Sequence, residues 1–318
     1  VMIPPPGQPA PDDVDFRQAM RDFVQSISAY ARGYNSNFIV IPQNGIELVT
    51  DTGASDGTPV AAYLNAISSV GQEDLFYGYT GDDKATPTDV TDYLIPFLDI
   101  VEGDGKQVLA IDYCWTQSKI DLSYAQNFAE GYISFAADHR DLDNIPTYPL
   151  AIYNENTNDI TSLNVAQNFL YLINPSLFAT KSDFLAAIQS TNYDVVLIDL
   201  FFNDGTALTS GDITSLKTKG NGHSRLVICY MSIGEAENYR YYWQPGWRPG
   251  NPEWLDRRNI NWPGNYKVRY WYTEWQAIIY GDTQTNGYVS YLKQIIDAGF
   301  DGVYLDIIDA FEYWESHF

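Results

Sequence analysis

Short apolar runs that end in a carboxylate recur along this chain, separated by stretches with helical periodicity. That alternation limits the possible fold more than any other feature. The clearest instance is Gly299–Trp314, G-F-D-G-V-Y-L-D-I-I-D-A-F-E-Y-W. A Gly-Phe-Asp-Gly approach feeds Val303-Tyr304-Leu305, the run stops at Asp306, and a second carboxylate, Asp309, follows. Runs of this length, flanked by Gly and rich in β-branched or aromatic residues, suit strands buried on both faces. A carboxylate closing such a strand sits at the rim of a packed core, which in a (β/α) barrel is where the chemistry lies. For one Asp alone, a helix cap is the simpler role. Recurrence changes the balance.

In chain order, Val1–Pro11 is a proline-rich lead, extended in character. Carboxylates in Asp12–Asp15 mark a helix start, and Phe16, Met20, Phe23, Val24, Ile27 and Tyr30 follow as one apolar stripe. Strand-like runs are Phe38–Ile41, Asp74–Tyr79, Gln107–Tyr113, Tyr132–Ala136, Asn168–Ile173, Asp194–Leu200, Leu226–Met231, Lys267–Tyr272 and the final one ending at Asp306. Helical stretches between them include Ala61–Val70, Val90–Val101, Ser123–Glu130, Lys181–Ser190 and Gly287–Ala298. Strictly alternating strands and helices predict a closed parallel sheet, a single (β/α)8 TIM barrel over residues 12–318. Nine candidates for eight places leave one surplus, and Tyr132–Ala136 is the weakest. The Trp/Pro/Gly-rich loop Trp243–Trp262 is longer than ordinary connections, as functional loops tend to be.

Charge excludes several classes. Lys+Arg 18 against Asp+Glu 41 gives −23, with no basic footprint for a phosphate backbone. An anionic membrane surface is disfavoured for the same reason, and no apolar stretch approaches membrane-span length. Cys114 and Cys229 each lie in an apolar run and read as buried thiols. The three histidines, His139, His223 and His317, have no zinc-ligand spacing. There is no G-x-S-x-G elbow, P-loop or dinucleotide fingerprint. No cofactor or metal is expected. Compartment is not readable from these residues; no signal peptide is evident, and a secreted or periplasmic location is the working expectation. The 25 Tyr and 8 Trp suit a sugar cleft, although a large core would absorb many of them.

Carboxylates stand at or just past five strand ends: Glu47, Asp112, Asp199, Glu235 and Asp306. In a parallel barrel those ends converge on one rim. Like charges brought together raise at least one pKa. A protonated acid beside an ionised carboxylate is the working pair of glycoside hydrolysis. Each residue keeps a structural alternative. Asp112 and Asp199 are as well suited to capping as to catalysis, and Glu235 and Glu237 lie near Arg240, where a buried ion pair would shape the site. The acidic rim as a divalent-cation site is the lesser reading. The aromatic segment Tyr239–Trp262 either lines a sugar cleft or covers the barrel end.

Several segments together resemble glycoside hydrolase family 114, the endo-α-1,4-polygalactosaminidases. More closely, they resemble the branch once labelled as related to cysteinyl-tRNA synthetase. They are F-I-V-I-P-Q-N-G-I-E-L, E-D-L-F-Y-G-Y, Y-D-V-V-L-I-D-L, V-I-C-Y-M-S-I-G-E-A-E-N-Y-R, P-E-W-L, W-P-G-N-Y-K-V-R-Y-W and the Gly299–Trp314 stretch. No nucleotide-binding signature supports the synthetase label. In that family the I-P-Q-N-G strand follows the G-F-D-G-V-Y-L-D strand, whereas here it comes first. The chain therefore resembles a circular permutant, cut after Trp314 and joined within Pro146–Leu163, and the permutation predicts that the strands preceding Glu47 and ending at Asp306 are neighbours. The resemblance implies Asp306 as nucleophile and Glu47 as general acid/base. Asp199, Glu235, Arg240 and Tyr113 would be substrate-binding or supporting residues, with Asp112 and Trp243 completing the candidate set.

The expected activity is endo-acting hydrolysis of an α-linked aminosugar polysaccharide with retention, α-1,4-polygalactosamine being the substrate that the resemblance implies. The expected partner is a carbohydrate polymer or oligosaccharide, with no nucleic acid and no membrane insertion, acted on by a monomer. A non-catalytic carbohydrate-binding barrel and a hydrolase of a different glycan are the alternatives.

Overall fold

The computed structural model describes residues 13–318, so the lead Val1–Pro11 lies outside the described residues. In chain order the strands are β1 (Ile39–Pro42), β2 (Ser69–Glu73), β3 (Tyr77–Gly78), β4 (Gly81–Ala85), β5 (Gln107–Tyr113), β6 (Ile133–Ala137), β7 (Phe169–Leu172), β8 (Val195–Ile198), β9 (Leu226–Ser232), β10 (Glu235–Glu237), β11 (Leu255–Arg258), β12 (Asn265–Val268) and β13 (Gly302–Asp306). The helices are α1 (Phe16–Tyr34), α2 (Ala61–Ala66), α3 (Thr88–Gly103), α4 (Gln117–Glu130), α5 (Lys181–Gln189), α6 (Ser210–Leu216), α7 (Thr273–Ile279), α8 (Tyr291–Ala298) and α9 (Ala310–Glu315).

The architecture is α/β with parallel sheets. One sheet is five-stranded, in the order β1-β13-β9-β8-β7, and a second is three-stranded, β2-β5-β6, with every pair parallel. β1 and β13, remote in sequence, pair directly from Ile39/Gly302 to Pro42/Leu305. That is the adjacency expected of the strands preceding Glu47 and ending at Asp306. At one seam between the sheets, Gln43 bridges to Gly71, and Ser68 N–H donates to the Val40 carbonyl at 2.8 Å. At the other, Phe135 of β6 meets Phe169 of β7 at 5.8 Å between ring centroids. β1, β7, β8 and β9 are buried along their whole length, because helices cover the face turned away from the interior.

Helix α1 shows how local sequence sets these elements. The Asp15 side chain accepts the Gln18 N–H at 2.8 Å and caps the helix. Phe16, Met20, Phe23, Val24, Ile27 and Ala31 then recur at helical spacing and are buried. The helix reaches the far end of the chain, where Arg17 pairs with Glu315 at 2.8 Å and Phe16 lies 6.3 Å from Trp314.

Three sequence expectations are corrected. The strand expected at Asp74–Tyr79 is Ser69–Glu73 instead, and the helix expected over Ala61–Val70 stops at Ala66 to make room for it. Asp74–Tyr79 forms the approach to a hairpin, β3 against β4. Ser-Val-Gly-Gln-Glu lacks the apolar run that marks the other strands. The reason is Gly71, where an added Cβ would fall 1.9 Å from the Tyr304 hydroxyl of β13. The tyrosine supplies the interior bulk that β2 lacks. Tyr132–Ala136, the weakest candidate, corresponds to a true strand, β6, paired with β5. The surplus element is Lys267–Tyr272, whose start belongs to β12 in a separate antiparallel sheet, β10-β12-β11. Both cysteines are buried free thiols, and no helix among the described residues is long and apolar enough to cross a membrane.

The Gly71–Tyr304 fit yields a stability prediction. Gly71→Ala is expected to destabilise the protein by about 1–3 kcal/mol through overpacking. Tyr304 Oη has no hydrogen-bond partner among the described residues, so Tyr304→Phe in the Gly71→Ala background is expected to recover part of the loss. Urea midpoints of the single and double variants test this; an unchanged midpoint for Gly71→Ala would remove the packing argument.

Candidate active site

The C-terminal ends of β2, β5, β7, β8, β9 and β13 open onto one cavity of about 770 Å³. β13 ends in Asp306 and β2 in Glu73, and both side chains line this cavity, half-buried. Gln43, just past β1, lies between them. Its Nε2 donates to Glu73 Oε2 at 2.7 Å and to Asp306 Oδ1 at 3.1 Å, while its Oε1 accepts from the Tyr171 hydroxyl at 2.9 Å. Asn44 takes a left-handed backbone (φ 59°), which Asn tolerates better than most residues. Its amide donates to Glu73 Oε2 at 3.0 Å and accepts the Glu73 N–H at 3.0 Å. The Tyr113 phenol donates to Glu73 Oε1. Asp306 receives the Tyr230 hydroxyl on Oδ2 at 2.5 Å and the Ile307 N–H on Oδ1 at 2.8 Å.

Desolvation in the cavity pushes the Glu73 carboxyl well above the ordinary carboxylate range, and the Asp306 charge adds to it; the Tyr113 hydrogen bond opposes. Desolvation also raises Asp306, against the Tyr230 and Ile307 hydrogen bonds, with Asp309 and Glu235 adding repulsion. Asp309 lines the same cavity, and its carboxylate accepts no hydrogen bond from the described residues. Desolvation, then the charges of Glu312 and Glu73, push it up to about 7. Among the carboxyls that line the cavity, these three are each more easily protonated than usual.

The other sequence candidates divide. Tyr113, Asp199 and Arg240 line the cavity. Arg240 is buried and grips Asp199 with two bonds, 2.9 and 2.6 Å, and Glu237 through Nε at 2.6 Å. It forms a rigid wall. Glu47 is corrected. The left-handed Asn44-Gly45 pair turns the chain into a single 3-10 turn that buries Ile46, Leu48 and Val49. Glu47 is carried away from the cavity lining and accepts from Tyr93 of α3 at 3.0 Å. Asp112 is also corrected. Successive strand residues face opposite ways, so with Tyr113 turned into the cavity, Asp112 faces α4. There it is fully buried, accepting from Ser123, Asn127 and the Phe76 and Tyr77 N–H groups. Glu235 is buried behind the site on Lys267 at 2.8 Å and Asn259 at 3.0 Å. Trp243 packs on Trp247 and Tyr266 and does not line the cavity; from the same aromatic segment, Tyr239 and Trp262 do.

Sequence reasoning passed over Glu73, Gln43, Asn44 and Tyr230. A signal for Glu73 was available. It opens E-D-L-F-Y-G-Y, and a strand ending there obeys the same strand-end rule as Asp306. Among the described residues, no group of three or more His, Cys, Asp or Glu side chains is arranged to hold a metal ion.

The raised carboxyls also set a pH dependence of stability. A folded-state pKa above the unfolded value near 4 favours the protonated form in the fold. Stability contributed at low pH is therefore lost as pH rises through the raised values, and the penalty is complete above them. Asp306→Asn and Glu73→Gln, which cannot ionise, are expected to melt higher than wild type at pH 8 and within a degree or so of it at pH 4. Thermal melts at the two pH values check this. Variants less stable than wild type at pH 8 would show that the charges are fully compensated.

The sequence profile of glycoside-hydrolase family GH114 matches residues 153–317. An uncharacterized protein of Thermotoga maritima is 41% identical over 128 residues, 40% of this chain and 36% of that protein. One of Deinococcus radiodurans is 38% identical over 128 residues, covering 40% and 37%. One of Methanocaldococcus jannaschii is 41% identical over 133 residues, covering 41% and 34%. The match thus spans about a third of the length of these curated relatives. The matched profile runs through β7, β8, β9 and β13, ending beyond Asp306, so one member of the cavity pair falls inside it. On that match, over more than half its length, the chain belongs to glycoside hydrolase family GH114.

Proposed function

We propose that this protein cleaves an α-linked aminosugar polysaccharide, with Asp306 as nucleophile and Glu73 as general acid/base. The observation that carries the reading is the Gln43 amide, which holds both carboxylates on one nitrogen at the cavity floor. A shared donor keeps the two oxygens within about 6 Å, which supports retention over the wider spacing of inverting pairs. In the first step the Asp306 carboxylate bonds to the anomeric carbon as Glu73 gives its proton to the departing glycosidic oxygen. In the second, Glu73 takes a proton from water, and that water replaces Asp306 at the same carbon. The roles follow from the electrostatics. The Ile307 N–H is a fixed donor to Asp306 and favours its anion, while the Asp306 charge keeps the proton on Glu73.

The substrate class is supported by charge. The carboxylates of Asp199 and Glu237 are spent on Arg240, whereas the Asp309 carboxylate faces the cavity without a hydrogen-bond partner among the described residues. An ammonium group on the sugar fits it, as galactosamine would provide. The exposed rings of Tyr239 and Trp262 offer stacking faces along the cavity wall. A further part of the reading is that the two parallel sheets form one (β/α)8 ring, with the order of its units circularly permuted relative to the family. The β1–β13 pairing, the Gln43–Gly71 bridge and the contact between α1 and α9 residues support it.

The test is product release from α-1,4-linked galactosamine oligomers, de-N-acetylated and N-acetylated. Wild type is expected to cleave the free-amine oligomers. Asp306→Asn and Glu73→Gln should each lose about 10²–10⁴-fold or more in kcat, and Glu47→Gln should stay within about tenfold of wild type. Equal loss for Glu47→Gln and none for Glu73→Gln would reverse the assignment. Binding of the oligomers without release would mark a carbohydrate-binding barrel.

A further inference from the structure

Arg140 follows β6 and lines the cavity, and its guanidinium carbon lies 3.8 Å from the centre of the Tyr113 ring. It is held there from three sides. Nη2 donates to Asp74 Oδ1 at 2.8 Å and to the Gly78 carbonyl at 3.1 Å, and Nε donates to Asp82 Oδ1 at 2.5 Å. Asp74 directly follows Glu73, and Asp82 belongs to the hairpin strand β4. Beneath the guanidinium, the Tyr113 hydroxyl points to Glu73 Oε1. The other cavity-lining arginine, Arg240, is committed to Asp199 and Glu237.

We infer that Arg140 is a positioning residue for the proton on Glu73: its guanidinium, clamped against the Tyr113 ring, polarises the phenol O–H and strengthens the hydrogen bond that Tyr113 gives to the Glu73 carboxylate. A cation over an aromatic face draws on the electrons of the ring, which makes the hydroxyl a better donor. The ion pairs with Asp74 and Asp82 fix the guanidinium over the ring, so the phenol is the group on which it acts most directly. The groups facing Glu73 are Asp306 from β13, Tyr113 from β5, Gln43 and Asn44 from the end of β1, the neighbouring Asp74, and the more distant Asp309, Tyr171 and Tyr304. The carboxylates keep the proton on Glu73. The donors help to release it, and Tyr113 is the one that a cation covers.

The inference rests on Glu73 as the proton carrier, so its test reads Glu73 directly and without turnover. Protein labelled with ¹³C at the glutamate carboxyls is titrated by NMR, and the Glu73 signal is identified by its absence from Glu73→Gln. Tyr113→Phe is expected to move the Glu73 midpoint upward. Arg140→Met should move it upward by about half a pH unit or more, and should move it little further when Tyr113 is already Phe. Equal shifts from Arg140→Met in both backgrounds would mean a bare through-space charge effect and would overturn the inference, as would no shift in either. If Arg140→Met does not fold, Arg140→Lys keeps the charge but loses the planar stack, and the same two-background comparison applies. An enzyme that cleaves none of the oligomers would end the aminosugar-polymer reading and leave this titration unaffected.

Discussion

One side-chain amide ties the site together. Gln43 donates to the ends of β2 and β13 and accepts from β7, so strands of both sheets meet on one residue. Hydrogen bonds to charged groups contribute about 1.5–3 kcal/mol each, and leaving a buried polar group unpaired costs a similar amount. Gln43 is itself buried, so its amide is bonded at both ends or pays that penalty at either. The arrangement therefore fixes three strand ends relative to one another. It also brings two carboxylates together that would otherwise repel.

That closeness has a cost, and the surrounding structure offsets it in a specific way. Tyrosines supply much of the hydrogen bonding: Tyr113 on Glu73, Tyr230 on Asp306 and Tyr171 on Gln43. Each phenol brings an apolar ring that excludes water and one donor, aimed at a carboxylate by Tyr113 and Tyr230 and at the Gln43 amide oxygen by Tyr171. Next to Asp306, Ile307 adopts φ 61°, an uncommon conformation for a β-branched residue. Strain of this kind costs on the order of 1–3 kcal/mol and persists only where neighbours enforce it. Here the strained residue turns its N–H onto Asp306. Gly234 accommodates the bend, since a Cβ there would stand 2.1 Å from the Ile307 carbonyl oxygen.

Arginines frame the same cavity on two sides. Arg240 locks Asp199 and Glu237 into a buried triad beneath the rings of Phe201 and Tyr239. Arg140 ties the β3–β4 hairpin to the residues beside Glu73. Buried ion pairs are poor sources of net stability because desolvation offsets their attraction. Their value here is geometric. They hold walls and loops around Glu73, Asp306 and Asp309, none of which has an ion-pair partner among the described residues.

The repeating apolar runs, the helical stripe of α1 and the strand-end carboxylates were legible in the chain itself, because spacing and local propensity are properties of neighbouring residues. Those features carried the parallel α/β architecture, Asp306 as a rim carboxylate, and the placing of Tyr113, Asp199 and Arg240. The pairing of Asp306 with Glu73, and not Glu47, was decided only in three dimensions. β2 conceals itself because Tyr304, far along the chain, fills the space above Gly71. Glu47 has the right chemistry and the right distance past a strand, but a left-handed turn carries it off the cavity. Asp112 has the wrong parity in its strand and faces α4. Sequence determines that a carboxylate stands at a strand end. Which way it faces depends on strand parity, turn handedness and the partner strand that supplies the bulk, and those are settled by tertiary packing, in the case of β2 by a tyrosine more than two hundred positions away.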